Sequence, residues 1–333
     1  MTQFMRGFLI RIRRRTAALR AGVAVGLSWL CMAGFASCTE STTDPPADAT
    51  NAVAAVARSI EEQPLSVDLI VAAAAVVPGQ TFYVGLRIQP EDGFHTYWKH
   101  PGVVGVPTGI EWHLPEGWQA GGIEWPAPEV VMMGPYPAHG YKGDVLLPTA
   151  IRVPAGAEAG EVTLRGDARW MCCADTCHPG FRTLEVSVVV VPAGADGAGR
   201  VDERVERLLA EALAARPQQA RGFEFSAERD ATGVTVIIQR SGEAGVDATP
   251  LADLAGLRFY CDQGIIGSDE EQQVQAHEDG SVRLRLVASP FGPEDATQLT
   301  GVFESASGWY LDDQGQTVHH IQVEMPLPLA PTL

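Results

Sequence analysis

Thr81-Phe82-Tyr83-Val84-Gly85-Leu86-Arg87-Ile88 sets the reading of this chain. Phe82, Val84, Leu86 and Ile88 would share one face and Tyr83, Gly85 and Arg87 the other, the period-two pattern of a strand with one side on a core. Runs of the same character, rich in Val, Ile, Leu, Thr and aromatics, cover 65–77, 109–114, 145–153, 161–171 and 184–191. Turn signals such as Pro115-Glu116-Gly117 and Pro154-Ala155-Gly156 separate them. Short strands with this punctuation predict an antiparallel β-sandwich over residues 64–193.

The pattern changes beyond it. Val201, Val205, Leu208, Leu209 and Leu213 recur at helical spacing, Asp202 and Glu203 stand early and Pro217 follows. This predicts a linker helix within residues 194–221. Residues 222–333 return to β-type runs at 223–227, 233–239, 257–260, 282–287, 301–304 and 318–325, a second sandwich-like β domain. At roughly 130 and 110 residues, each β region is large enough for its own core. The fold class is therefore all-β.

Residues 1–38 read as an export signal. Arg6, Arg11, Arg13, Arg14, Arg15 and Arg20 form a basic region without an acid, followed by an uncharged run from Ala21 to Ala36. Its 16 residues fall short of the ~20 that span a bilayer. Phe35-Ala36-Ser37-Cys38 is close to a lipobox, with Cys38 as the lipidated residue; ordinary cleavage after Ala36 is the alternative. Residues 39–63, rich in Ser, Thr, Asp, Pro and Ala, read as a flexible tether.

The whole chain carries 24 basic and 41 acidic residues, and the signal holds six of the former and none of the latter. Without it the balance is 18 against 41, a net charge of −23. Such a field argues against nucleic acid and anionic lipid surfaces as partners. A lipid anchor is then the expected membrane attachment, in the periplasm or cell envelope.

Three of the six cysteines lie in Trp170-Met171-Cys172-Cys173-Ala174-Asp175-Thr176-Cys177-His178-Pro179. Cys31 falls within the signal and Cys38 is the lipidation candidate, which leaves Cys172, Cys173, Cys177 and Cys261, with three ways to pair. Fully extended, residues 173 and 177 would stand about 13 Å apart, whereas a disulfide needs roughly 7 Å or less between Cα atoms. The short polar Ala174-Asp175-Thr176 permits the turn, so Cys173–Cys177 is the expected pair. Adjacent Cys172 and Cys173 would point to opposite strand faces, so Cys172 either pairs with Cys261 or both are buried free thiols. Asp175 would raise a neighbouring thiol pKa and a protonated His178 would lower it.

The cysteine block resembles the W-x-x-C-x-x-x-C-x-P signature of the N-terminal periplasmic domain of the thiol:disulfide interchange protein DsbD family, in the branch that includes the copper-tolerance protein ScsB. Upstream, Asp92-Gly93-Phe94-His95-Thr96-Tyr97-Trp98-Lys99-His100-Pro101-Gly102, then residues 107–117, 123–128 and 141–148, agree with it in order. The resemblance implies an immunoglobulin-like sandwich in which Cys173 and Cys177 are the catalytic pair. It also implies a loop that caps the disulfide and opens for partners, to which residues 132–141 correspond, with Tyr136 and Tyr141 as cap candidates and Trp170, Asp175 and His178 as neighbours. The family's membrane channel and thioredoxin-like part have no counterpart here. The expected partners are therefore periplasmic thiol/disulfide proteins and a separate membrane electron donor, with no cofactor.

Two other functions compete. Cys172, Cys173 and Cys177 are soft ligands suited to Cu(I), which would make a copper-tolerance protein, although opposite faces for Cys172 and Cys173 argue against convergence. A non-catalytic envelope scaffold with a structural disulfide is the third. His95 and His100 read as loop packing, His319 and His320 as facing opposite ways on a strand, and the tryptophans mostly as core.

Overall fold

The computed structural model describes residues 64–73, 75–192, 202–243, 245–293 and 295–329. The expected signal at 1–38 with Cys38 and the expected tether at 39–63 lie outside the described residues. The chain from Leu65 builds eleven strands: β1 (Leu65–Val71), β2 (Ala75–Val76), β3 (Thr81–Pro90), β4 (His95–Tyr97), β5 (Gly109–His113), β6 (Gln119–Ile123), β7 (Glu129–Met133), β8 (Tyr136–Lys142), β9 (Val145–Arg152), β10 (Gly160–Cys173) and β11 (Cys177–Val190). They form one sheet in the order β1-β3-β9-β6 and a second in the order β2-β11-β10-β4-β8-β7, with β5 also on β10. All pairings are antiparallel except β2 with β11.

The alternation at 81–88 does what it predicts. Phe82, Val84, Leu86 and Ile88 are all buried between the sheets. Phe82 and Val84 meet Ile151, Leu164 and Val188, while Leu86 and Ile88 meet Leu147, Ala168, Trp170 and Cys172. Tyr83 and Gly85, on the other side of β3, are covered rather than solvated. Over them lies α1 (Glu203–Ala214), whose Leu209 and Ala212 are buried with Leu146, Ile70 and Tyr83. A Cβ on Gly85 would meet Leu146 and Leu209, so the glycine admits the helix. Asp202 caps α1 by accepting from the Arg204 and Val205 amides, and Glu203 and Glu206 suit its positive N-terminal end. The expected linker is thus a packed amphipathic helix.

After α1 the chain adds β12 (Gln218–Gln219), β13 (Phe223–Asp230), β14 (Gly233–Arg240), β15 (Arg258–Cys261), β16 (Gln273–Ala276), β17 (Val282–Val287), β18 (Gln298–Glu304), β19 (Tyr310–Leu311), β20 (Thr317–Val318) and β21 (His320–Pro326). Two four-stranded sheets, β12-β21-β18-β15 and β13-β14-β17-β16, enclose a core of Val236, Ile238, Leu284, Phe303, Trp309 and Ile321. The described residues form one compact unit, and Tyr260 and Val302 from this second pair of sheets join the buried cluster of the first.

Between the first two sheets Trp170 is a buried plug near the cysteines, and it stands opposite Gly180 in the β10–β11 register. A Cβ on Gly180 would lie 2.3–2.5 Å from the indole ring, so the ring lies directly across that residue. Gly180→Ala is expected to lower the unfolding free energy by about 1–3 kcal/mol, the cost of overpacking a filled core. Urea denaturation of the two proteins checks it.

Candidate functional site

The cysteine block forms the end of the long β10–β11 hairpin. Cys173 and Cys177 are directly opposite in the ladder, with Ala174-Asp175-Thr176 as the connecting loop and the Ala174 amide donating to the Thr176 carbonyl at 3.0 Å. Their Cα atoms are 4.2 Å apart and the side chains are joined as a disulfide, the pairing that the turn argument expects. The two sulfurs differ in access: Cys173 is fully buried, Cys177 only partly.

Alternation along β10 separates the two adjacent cysteines. Cys172 faces inward, packed with Leu86, Trp98 and Trp170. Cys173 faces the other way, into a small cluster with Tyr97, Val131 and Ala138. The second pair held open by the sequence does not form: Cys172 and Cys261 are both buried free thiols. Burial, helped by the charge of Glu91, pushes the Cys172 thiol up to about 12, and burial also raises Cys261. Neither supplies a thiolate at neutral pH. The three-sulfur Cu(I) set does not converge, because Cys172 lies on the opposite face. Among the described residues no group of three or more His, Cys, Asp or Glu side chains is placed to hold a metal.

The cover over the disulfide is a hairpin rather than a loop. β7 and β8 are joined by Gly134-Pro135, with Gly134 at φ 58°, the positive value that a tight hairpin turn requires at its first central position. Val131, Ala138 and Met133 from this hairpin, together with Val104, surround Cys173. The two tyrosines expected in the cap both lie on β8 of this hairpin. Tyr136 is 51% exposed at the hairpin tip. Tyr141 is buried in the main core, where its hydroxyl donates to the Pro126 carbonyl at 2.9 Å. Asp175 is exposed on the connecting loop. His178 is partly exposed, its Nε2 3.0 Å from the Thr176 hydroxyl and its ring edge-on to Phe94.

Sequence reasoning missed the polar side chains that share this face. His95, read as loop packing, lies on β4 directly across from Cys173, with Lys142 on its other side in β8. Its Nε2 is 3.2 Å from the Tyr97 hydroxyl. Burial lowers the His95 pKa, with Lys142 adding to the effect. Burial, followed by the neighbouring Cys172, pushes Tyr97 up to about 12. The pair beside the disulfide is thus uncharged at neutral pH. The signal available in the sequence was the two-residue spacing of His95 and Tyr97, which places both on one strand face.

His139 on β8 is the most strongly perturbed histidine. Burial pulls its pKa down to about 4, against the raising effect of its bond to the His100 carbonyl. A histidine whose folded pKa lies below its unfolded value takes up a proton preferentially on unfolding, so its stabilising effect is complete above about pH 6.5 and is lost as pH falls toward 4. At 1.36 kcal/mol per unit this amounts to about 3 kcal/mol. Burial lowers His95, His100 and His320 in the same direction. Unfolding free energy from urea titrations is expected to fall between pH 7.5 and 4.5, and His139→Phe is expected to flatten that slope. An unchanged slope would contradict the assignment.

Comparison with known proteins agrees with this geometry. Residues 61–187 match the family model described as thiol:disulfide interchange protein DsbD, N-terminal. The structure is similar to the N-terminal periplasmic domain of ScsB from Proteus mirabilis, at 17% identity and a TM-score of 0.57, covering 81% of this chain and 95% of that one. A titin I-band fragment (I67–I69) matches at 11% identity, covering 81% of this chain and 67% of that one, but with a TM-score of only 0.18. No curated protein sequence matches. Over residues 61–187 the chain therefore carries a domain of the DsbD N-terminal type, with the immunoglobulin-like fold that the cysteine block and its upstream segments imply.

Proposed function

We propose that this protein is a periplasmic thiol–disulfide exchange module that moves electrons between envelope proteins through Cys173 and Cys177. The observation that carries the reading is the placement of the disulfide. It spans the end of a hairpin, with one sulfur buried under an apolar cover and the other partly open. Cross-linking residues only four apart removes little entropy from the unfolded chain, so stabilisation alone is a weak reason for it. The match of residues 61–187 to an interchange family supports the same reading.

In the reduced protein both cysteines are thiols. One, as thiolate, attacks a partner disulfide and forms a mixed disulfide while the partner's other sulfur leaves as a thiolate. The second cysteine then attacks the mixed bond, closing Cys173–Cys177 and releasing the partner as a dithiol. Two electrons and two protons have passed to the partner, and a separate membrane electron donor restores the dithiol. The buried, uncharged His95–Tyr97 pair keeps fixed charge away from the sulfurs. The division at α1 gives the site to residues 64–193 and leaves 222–333 as a second domain without a redox pair. Cys38, in the signal-like segment 1–38, would anchor the protein by lipid.

Replacing cysteines one at a time tests this. Cys173→Ser and Cys177→Ser are each expected to abolish turnover with a disulfide-bearing periplasmic protein, and one of the two should accumulate the mixed disulfide on a non-reducing gel. Cys172→Ser and Cys261→Ser should retain exchange. Full turnover by Cys173→Ser or Cys177→Ser would contradict the assignment.

A further inference from the structure

The segment from Tyr97 to Val104 faces two ways. At its two ends it touches the disulfide. Tyr97 and Val104 belong to the cluster around Cys173, and Gly105, at φ 94°, lies so close to the Tyr97 ring that a Cβ there would be 2.3 Å from it. Between them the chain reaches across to the second pair of sheets. Lys99 Nζ is 2.9 Å from Asp262 Oδ2, and this aspartate side chain is only 15% exposed. The Val103 amide donates to Ser268 Oγ at 2.9 Å. Gly102 at φ 100° lies against the same serine, where a Cβ would collide with Oγ, and the His100 ring lies against Gly264.

The cap hairpin is held from the same side. His139 of β8 accepts at its carbonyl from the Trp98 amide at 3.1 Å and donates its own amide to Pro101 at 2.8 Å. Its ring stands edge-on to Tyr260, with centroids 4.9 Å apart, and Trp98 stands edge-on to both. Tyr260 is fixed in turn by donating to Glu304 Oε2 at 2.6 Å. Residues 260–268 therefore grip both parts of the cover, the 97–104 segment through Asp262 and Ser268 and the hairpin through Tyr260.

We propose that the second β-sandwich is a clamp on the disulfide's cover, in which Asp262, Ser268 and Tyr260 position the 97–104 segment and the β7–β8 hairpin and so set how often Cys173–Cys177 opens to an attacking thiol. This rests on the exchange reading and assigns the second sandwich a part in it: Lys99, Asp262, Ser268 and Tyr260 are positioning residues that touch neither sulfur. A clamp changes the rate at which the bond is reached through local opening, without requiring the fold to unfold. A partner that displaced the 97–104 segment would have to break the Lys99–Asp262 and Val103–Ser268 contacts to reach the buried Cys173.

The experiment uses the full chain and dithiothreitol as the attacking thiol, with alkylation and mass mapping of residues 173 and 177 over time. Lys99→Asp and Asp262→Lys are each expected to speed reduction about tenfold through easier local opening. The double exchange Lys99→Asp/Asp262→Lys should return the rate toward that of the unaltered protein. Ser268→Ala should speed both reduction and hydrogen exchange at the Val103 amide. Unaltered rates in the single variants, a speed-up that persists in the double exchange, or a speed-up that merely tracks the urea unfolding free energy would each overturn the clamp. These outcomes do not depend on turnover with a protein partner. Failure of such turnover in the unaltered protein would count against the exchange reading alone.

Discussion

The register of one hairpin governs the functional half of this molecule. Because β10 and β11 run antiparallel about a three-residue loop, residues 173 and 177 are forced opposite one another, 4.2 Å apart at Cα. The strand period then sends Cys172 to the other face, into the core. A slip of one residue in β10 would exchange the two, turning Cys173 toward Leu86 and presenting Cys172 to the cover, and it would turn Trp170 out of the core. Trp170, packed across Gly180 on the core face three residues before Cys173, opposes that slip. The site is thus secured by core packing on the face that does no chemistry.

What surrounds the disulfide is built from parts far apart in sequence. β4 brings His95 and Tyr97, the β7–β8 hairpin brings Val131, Met133 and Ala138, and the segment after β4 brings Val104. The lining is apolar or uncharged even though the chain as a whole is strongly acidic, with a formal net charge of −17. Acidic groups close to a thiol disfavour its thiolate; the lining adds none, and the carboxylate nearest in sequence is that of Asp175, exposed on the connecting loop. The cover and the second sandwich meet through the Trp98, His139 and Tyr260 rings.

Much of this was legible in the sequence, and the rest was hidden for physical reasons. Alternating runs such as 81–88 and 161–171 announced their strands because one face points into the core between the sheets, although α1 also covers the other face of 81–88. The opposite orientations of Cys172 and Cys173 follow from the same period. β8 gave no such signal: its residues 138–141 are buried in succession, and Pro137 and Gly140 interrupt the pattern, so a hairpin read as a loop. Tyr141 looked like a cap residue by position, yet its hydroxyl is committed to Pro126 inside the core. His95 carried no metal-like spacing, and only the β4–β10 pairing places it opposite Cys173. Contacts such as Lys99 with Asp262 join residues too distant in the chain for any local pattern to report.

The central claim is that the Cys173–Cys177 bond is an exchanging disulfide rather than a staple. Its reduction potential tests this most directly, by equilibrating the full protein in glutathione and dithiothreitol buffers and mapping each cysteine by mass. A bond that opens at about −120 to −270 mV, the span of known exchange proteins, is the predicted result, with Cys172 and Cys261 free throughout. A bond that yields only well below about −300 mV would mark a structural cross-link and contradict the account.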